Sequence, residues 1–365
     1  MHPTQPTTDP SLLQPKPEPK SSTNSPHLHD PSDSSDPPPP NPLHYTEFCQ
    51  VLSHEEPISV VRFSPDGDLL ATGSMDRCFR IWGSSTDEEF SEKAIMVAHK
   101  RCGLNDINFN HDSRKVVTCG DDRTARIFDL TTKHRIDKLE DHEEIVMTAC
   151  FNPHGNVVAT ASFDRKAKLW DLRCGEVIRI LEGHAQPLTS ANFNSDGSQM
   201  CTSSLDGRVN LWDVPSGRCI KTVLGAAKEV PGVPCMAAKF SPNDHYILAT
   251  KTNSTVYLVE LNRTRASYLK RDTNIIRKYT GHKHQRHFLT PDFSVVPQGS
   301  YVVSGSEDGQ VFIWDVNTTE AAFVLPAASE EVVRSVSCHP KKAIIASCGG
   351  KKLRVWHGGL EMKEE

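Results

Sequence analysis

The sequence has no run of 18 apolar residues, so no membrane-spanning helix is expected. Its first residues lack the apolar core of a signal peptide, and secretion is not expected. None of the 11 cysteines forms a CxxC pair, which removes the usual signature of a structural zinc site. No metal and no cofactor are expected. Without a secretory signal the cysteines read as reduced thiols, several at strand positions such as Cys150 and Cys201. Positive charge is not concentrated: 41 Lys and Arg stand against 46 Asp and Glu, for a formal net charge of -5. A phosphate-binding surface needs a dense basic patch, so direct nucleic-acid binding is not expected either.

Proline is plentiful, but mostly in one place. Residues 1–43 hold 13 of the 25, including the run Pro37 to Pro40. Ser, Asp, Thr and Lys fill most of the rest. A segment of this kind buries too little apolar surface to offset its ordering entropy. It predicts a disordered Pro/Ser-rich arm with local polyproline character.

Tryptophan is scarce, and its five copies share one place in a repeating unit. The units are SMDRCFRIW ending at Trp82, SFDRKAKLW at Trp170, SLDGRVNLW at Trp212, SEDGQVFIW at Trp314 and CGGKKLRVW at Trp356. Degenerate copies end at Phe128 and Val259, so the steps are 46, 42, 42, 47, 55 and 42 residues. Short alternating runs bounded by turn residues fill each unit, the pattern of half-buried strands. In the third unit IVMTACFN, VVATAS, KAKLWDL and GEVIRILE read as four antiparallel strands. A period in the forties with an Asp turn and a terminal Trp-Asp is the WD-repeat signature. The expected fold is all-β: a seven-bladed WD-repeat β-propeller over residues 44–360, after the arm of 1–43. Residues 44–52 precede the first unit, and the last unit ends with the strand KLRVW. Pairing the two gives the last blade its outer strand and leaves no unpaired edge.

Histidine and aspartate recur with the same period. His54, His142 and His184 lie 22 residues before Asp76, Asp164 and Asp206; His99 lies 23 before Asp122, and His282 lies 26 before Asp308. Thr72, Thr118, Thr160, Thr202 or Ser304 stands four residues before each Asp, and Trp82, Phe128, Trp170, Trp212 or Trp314 six after it. This spacing resembles the structural tetrad of WD-repeat proteins, where His bridges the turn Asp and a strand hydroxyl and Trp closes the chain. The fifth and seventh units lose the set, carrying Asn253 with Ala249 and Gly350 with Ala346. These residues read as structure. No nucleophile or metal constellation stands beside them, so no enzyme is expected.

A propeller acts as a platform. Ser59, Asn105, Met147, Thr189, Ala237, Thr290 and Arg334 precede or enter the innermost strands. Met75, Asp121, Phe163, Leu205, Thr252, Glu307 and Gly349 stand just before the turns. Apolar anchors with two acids suit a peptide. The candidate upper-face residues are Asp121, Met147, Phe163, Leu205, Thr290 and Glu307.

Five stretches, FSPNDHYILATKTNSTVYL, KYTGHKHQRHF, DFSV, VVSGSEDGQVFIWDV and SFDRKAKLWDL, are similar to blades of the WD-repeat protein five family. That family supplies the propeller subunit of trithorax/COMPASS-type complexes, which methylate lysine four of histone three. The likeness covers roughly residues 45–357 and marks a divergent member. It implies a nuclear, monomeric scaffold within a hetero-complex, with the cytoplasm an alternative location. Its implied partners are methyltransferase-complex subunits and a histone tail. In the family the upper mouth holds an arginine between two phenylalanines. Those positions are Met147 and Thr290 here, a rim tyrosine corresponds to Leu205, and Phe163 and Asp121 are kept. The opposite face binds a hydrophobic-acidic segment of another subunit. The residues implied there are Asn243, Tyr246, Leu258, Phe293 and Val295, with Arg277 nearby. An alternative is a substrate receptor of a cullin-type ubiquitin ligase, because Trp170 to Arg173 resembles the Trp-Asp-x-Arg box of adaptor-binding propellers.

Overall fold

The structure is a computed structural model that describes residues 43–86, 89–100, 102–225, 232–261, 274–297, 299–327 and 331–360. The chain divides into Met1–Pro37 and Pro38–Glu365. The first unit, and with it the expected disordered arm, lies outside the described residues.

Among the described residues every named element is a strand, and the strands form seven four-stranded antiparallel sheets. These are the seven blades of a β-propeller. Blade three shows how the sequence builds one. Val146–Phe151, Val157–Ser162, Lys166–Asp171 and Glu176–Glu182 run from the innermost to the outermost strand. The second strand is buried along nearly its whole length and is rich in small and β-branched residues, which fit between neighbouring sheets. The outermost strand is mostly exposed and carries charge, which blunts its free edge. The turn after Asp164 needs a left-handed residue, and Arg165 takes φ 70° there. Arg77 and Arg123 do the same at 75° and 66°, where Gly207 and Gly309 serve at no steric cost.

Blade seven is closed by the two ends of the described chain. Leu43–Leu52 pairs antiparallel with Lys352–Leu360, from Leu43 opposite Leu360 to Leu52 opposite Lys352, with a bulge at Phe48. The closing strand starts one residue before 44–52, and its partner runs past Trp356 to Leu360.

The core lies between blades. Phe79 of blade one meets Phe128 of blade two edge-on at 5.1 Å, and Tyr45 meets Phe323 of blade six at 5.5 Å. Among the described residues, apolar clusters of this kind join every neighbouring pair except blades five and six, where the Tyr279 ring lies 6.0 Å from Trp314. That junction is built differently. The Tyr279 hydroxyl donates to the Val316 carbonyl at 3.0 Å, and Thr250 donates to the Leu289 carbonyl at 3.2 Å.

Candidate functional site

The periodic histidines sit where each blade's outer strand turns into the next blade. In blade three, His142 Nδ1 meets Asp164 Oδ2 at 2.7 Å, and Nε2 meets Thr160 Oγ1 at 2.6 Å. The Trp170 indole N–H donates to the same hydroxyl at 2.9 Å. Blade one repeats this with His54, Asp76, Thr72 and Trp82, and blade four with His184, Asp206, Thr202 and Trp212. Burial alone would raise the Asp164 carboxyl. Hydrogen bonds from His142 and from the Lys166 and Glu143 amides outweigh it and hold the group below its ordinary range. In these three blades the Asp amide also donates to a serine hydroxyl: Ser74, Ser162 or Ser204.

Blade two is a variant. His99 bridges Asp122 at 2.9 Å and Thr118 at 3.2 Å, but Phe128 has no N–H to give. Gly120 stands where the serine would be, and Cys102 Sγ accepts the Asp122 amide at 3.2 Å.

Blade six corrects the sequence expectation. His282 bridges nothing: both its ring nitrogens are buried without a partner. Trp314 donates instead to the Thr280 carbonyl at 3.0 Å, Ser304 to the Gly305 carbonyl at 3.1 Å, and Asp308 is exposed. The reason is the spacing of 26 rather than 22: the loop after His282 is four residues longer, and its segment Lys283–His287 is held by Ser306, Ser254 and Glu307 in a path of its own. Glu307, expected as a free upper-face acid, holds that segment. Its Oε1 accepts the amides of Gln285, Arg286 and His287 at 2.9, 2.6 and 2.9 Å. Blade seven keeps a link that the spacing missed, from Trp356 Nε1 to Ser347 Oγ at 2.9 Å. Ser347 lies one position beyond the Ala346 that the repeat pointed to.

At the upper mouth Ser59, Asn105, Met147, Thr189, Ala237 and Thr290 line one cavity. Met147 and Thr290 are thus brought together. Asp121 is exposed and accepts from Asn105 Nδ2 at 2.9 Å, while Phe163 and Leu205 are half-buried outside the cavity lining. Beneath the mouth lies a charged belt that the sequence did not reveal. Arg62 meets Asp106 at 3.2 Å, and Asp106 also accepts from Thr148. Lys239 meets Asp292 at 2.5 Å, and Asp292 accepts the Cys338 amide at 2.9 Å. Each charge comes from a different blade, so no spacing within one repeat signals the pairs.

The lower opening is a cavity of about 380 Å³. Phe63, Phe109, Phe193, Phe240 and Phe293 line it. The first four are only 4–8% exposed, whereas Phe293 is half-buried. Val295 is half-buried on the same strand, and Tyr246 on blade five. Asn243 is turn-forming, with Oδ1 accepting from Ser241 Oγ and the His245 amide. Leu258 is corrected: at 2% exposure it is core, on a strand paired on both sides, opposite Leu248 on one neighbour and Arg277 on the other. Arg277 is half-buried across the strand pair. Arg173 is exposed, and its guanidinium lies on Asp171 at 2.6 Å.

The sequence matches the WDR5 beta-propeller domain over residues 50–357. Protein HIR1 of Yarrowia lipolytica is 31% identical over 122 residues, 29% of this chain and 11% of that protein. WD repeat domain-containing protein 83 of Homo sapiens is 31% identical over 126 residues, 34% of this chain and 36% of that protein. The chain therefore spans well under half the length of these curated relatives. The identity to them extends over about a third of this chain, whereas the domain match runs from the closing strand to the last blade. With all seven blades in place across that match, the chain belongs to the WDR5 beta-propeller domain family.

Proposed function

We propose that this propeller is a non-enzymatic docking subunit of a histone-three lysine-four methyltransferase complex, working in the nucleus. Its lower face receives an apolar-acidic segment of another subunit. Phe293 carries the reading: among the five phenylalanines of the lower opening it is the one left half-exposed. Tyr246 and Val295 extend the apolar surface, and Arg277 supplies positive charge. Apolar anchors beside one cation suit a segment that is itself apolar and acidic.

The test is affinity purification of the tagged full chain from nuclear extract, with mass spectrometry of what is recovered. Methyltransferase-complex subunits should accompany the unmodified chain and be lost from Phe293→Ala, with the melting temperature of the variant unchanged. Equal recovery with Phe293→Ala would refute the lower-face reading. Arg173→Ala in the same experiment separates the ubiquitin-ligase alternative, which requires loss of a cullin adaptor.

A further inference from the structure

We propose that His99, Cys102 and Asp122 form a zinc-class metal site on the upper rim of blade two. Their donor atoms lie within 4.8 Å of one another. A thiolate, an imidazole and a carboxylate make a ligand set that suits zinc, with the fourth tetrahedral position left to water or an incoming group.

The site is built from three departures of blade two from its neighbours. Blades one, three and four each place a serine hydroxyl on the turn Asp amide. Blade two has Gly120 at that point. A Cβ there would stand 3.3 Å from both Cys102 Sγ and His99 Nδ1, and 2.7 Å from the Gly103 carbonyl. The missing side chain leaves room for the Cys102 thiol, which takes over the Asp122 amide at 3.2 Å. The loop between His99 and Asp122 is one residue longer than in those three blades, 23 against 22, and Cys102 lies in it. The third departure is Phe128. In the other three blades the threonine hydroxyl accepts an indole N–H; Thr118 receives none.

The chemistry follows from where the donors converge. Asp122 Oδ1 and Cys102 Sγ both gather on the Nδ1 side of His99, while Nε2 points to Thr118. A nucleophile-and-base arrangement would place sulfur and carboxylate at opposite nitrogens, so this is a clamp rather than a catalytic triad. In the metal-free state the His99 Nδ1–H donates to the Asp122 carboxylate, and Thr118 donates to Nε2. When an ion binds, that imidazole proton moves to Nε2 and the Thr118 hydroxyl turns to accept it. Nδ1 then offers its lone pair, with the ring oriented by its other N–H. The Cys102 thiol loses one proton to solvent. Arg126 Nη2 holds Asp122 Oδ2 at 2.7 Å, and the Thr124 hydroxyl donates to Oδ1 at 2.7 Å, so both oxygens are fixed in place with Oδ1 turned towards His99. His99 is fully buried, while Cys102 and the Asp122 carboxylate are partly exposed, so an ion can enter from solvent.

Cobalt(II) titration of the reduced full chain tests the site. One ion per chain should bind, with a thiolate-to-cobalt charge-transfer band and release of a proton. Cys102→Ser restores the hydroxyl that the neighbouring blades use, so it should fold with an unchanged metal-free melting temperature. It should abolish the band and weaken zinc binding, read by competition with a chromophoric chelator, by at least about a hundredfold. Cys174→Ser, at an exposed thiol, should leave both unchanged. Failure of the unmodified chain to bind one ion, or a band that survives Cys102→Ser, would overturn the proposal.

Discussion

The His282 imidazole lies edge-on to the Trp314 indole, with ring centroids 5.3 Å apart and neither ring nitrogen hydrogen-bonded. Burial is the main reason its pKa falls, with the neighbouring His284 pushing the same way, to about 4. Burial lowers His284 as well. The unfolded chain takes up the His282 proton near the ordinary 6.5, so folding becomes less favourable as pH drops below that value. The contribution is intact above pH 6.5 and is lost towards pH 4, costing about 2 kcal/mol at pH 5. Urea unfolding at pH 7 and pH 5 checks this. His282→Leu should lose less stability between the two than the unmodified chain. Parallel losses would mean that the buried neutral histidine is not the source.

Asp164 and Lys166 stand two residues apart and should behave oppositely. The Asp164 carboxylate ties His142 and the amides of Glu143 and Lys166. Asp164→Ala strands those partners and should cost about 2–4 kcal/mol. Lys166 reaches only the exposed Glu182 at 3.2 Å, and Lys166→Ala should cost less than about 0.5 kcal/mol. Thermal melts of the two variants decide.

In blade six the order of neighbours reverses. Glu307 takes three amides, and burial, which would raise its carboxyl, is outweighed by them. Glu307→Ala should cost about 1–3 kcal/mol and speed amide exchange at Gln285, Arg286 and His287. Asp308→Ala removes one 3.3 Å bond to Gln310 and should cost under about 1 kcal/mol. A larger penalty at Asp308 would restore the tetrad expectation for this blade.

The upper mouth should bind arginine-centred peptides weakly. A guanidinium held between two aromatic faces gains about 2 kcal/mol when desolvated, roughly thirtyfold in affinity. Met147 and Thr290 line the same cavity and offer no aromatic face. Thr290 is further committed to Ser335 Oγ at 3.0 Å. Calorimetry with an arginine-containing histone peptide should show weak binding, improved at least tenfold by Met147→Phe with Thr290→Phe. Tight binding by the unmodified chain would contradict it.

Sequence alone determined the seven units, their four strands and the networks at His54, His142 and His184. All are local: partners recur at fixed offsets within one repeat, so periodicity in the chain becomes adjacency in space. Offsets also carry their own warning, since His282 departed from the period by four residues and its network did not form. Tertiary structure decided everything that crosses from one element to another without a fixed offset. The Arg62–Asp106 and Lys239–Asp292 pairs join different blades. Leu258 reads as surface by resemblance, yet neighbouring strands bury it. The thiol of Cys102 reaches Asp122 because Gly120, two residues before that aspartate, withholds a side chain. Packing between separate strands chooses which atoms meet, and no spacing along one repeat encodes that choice.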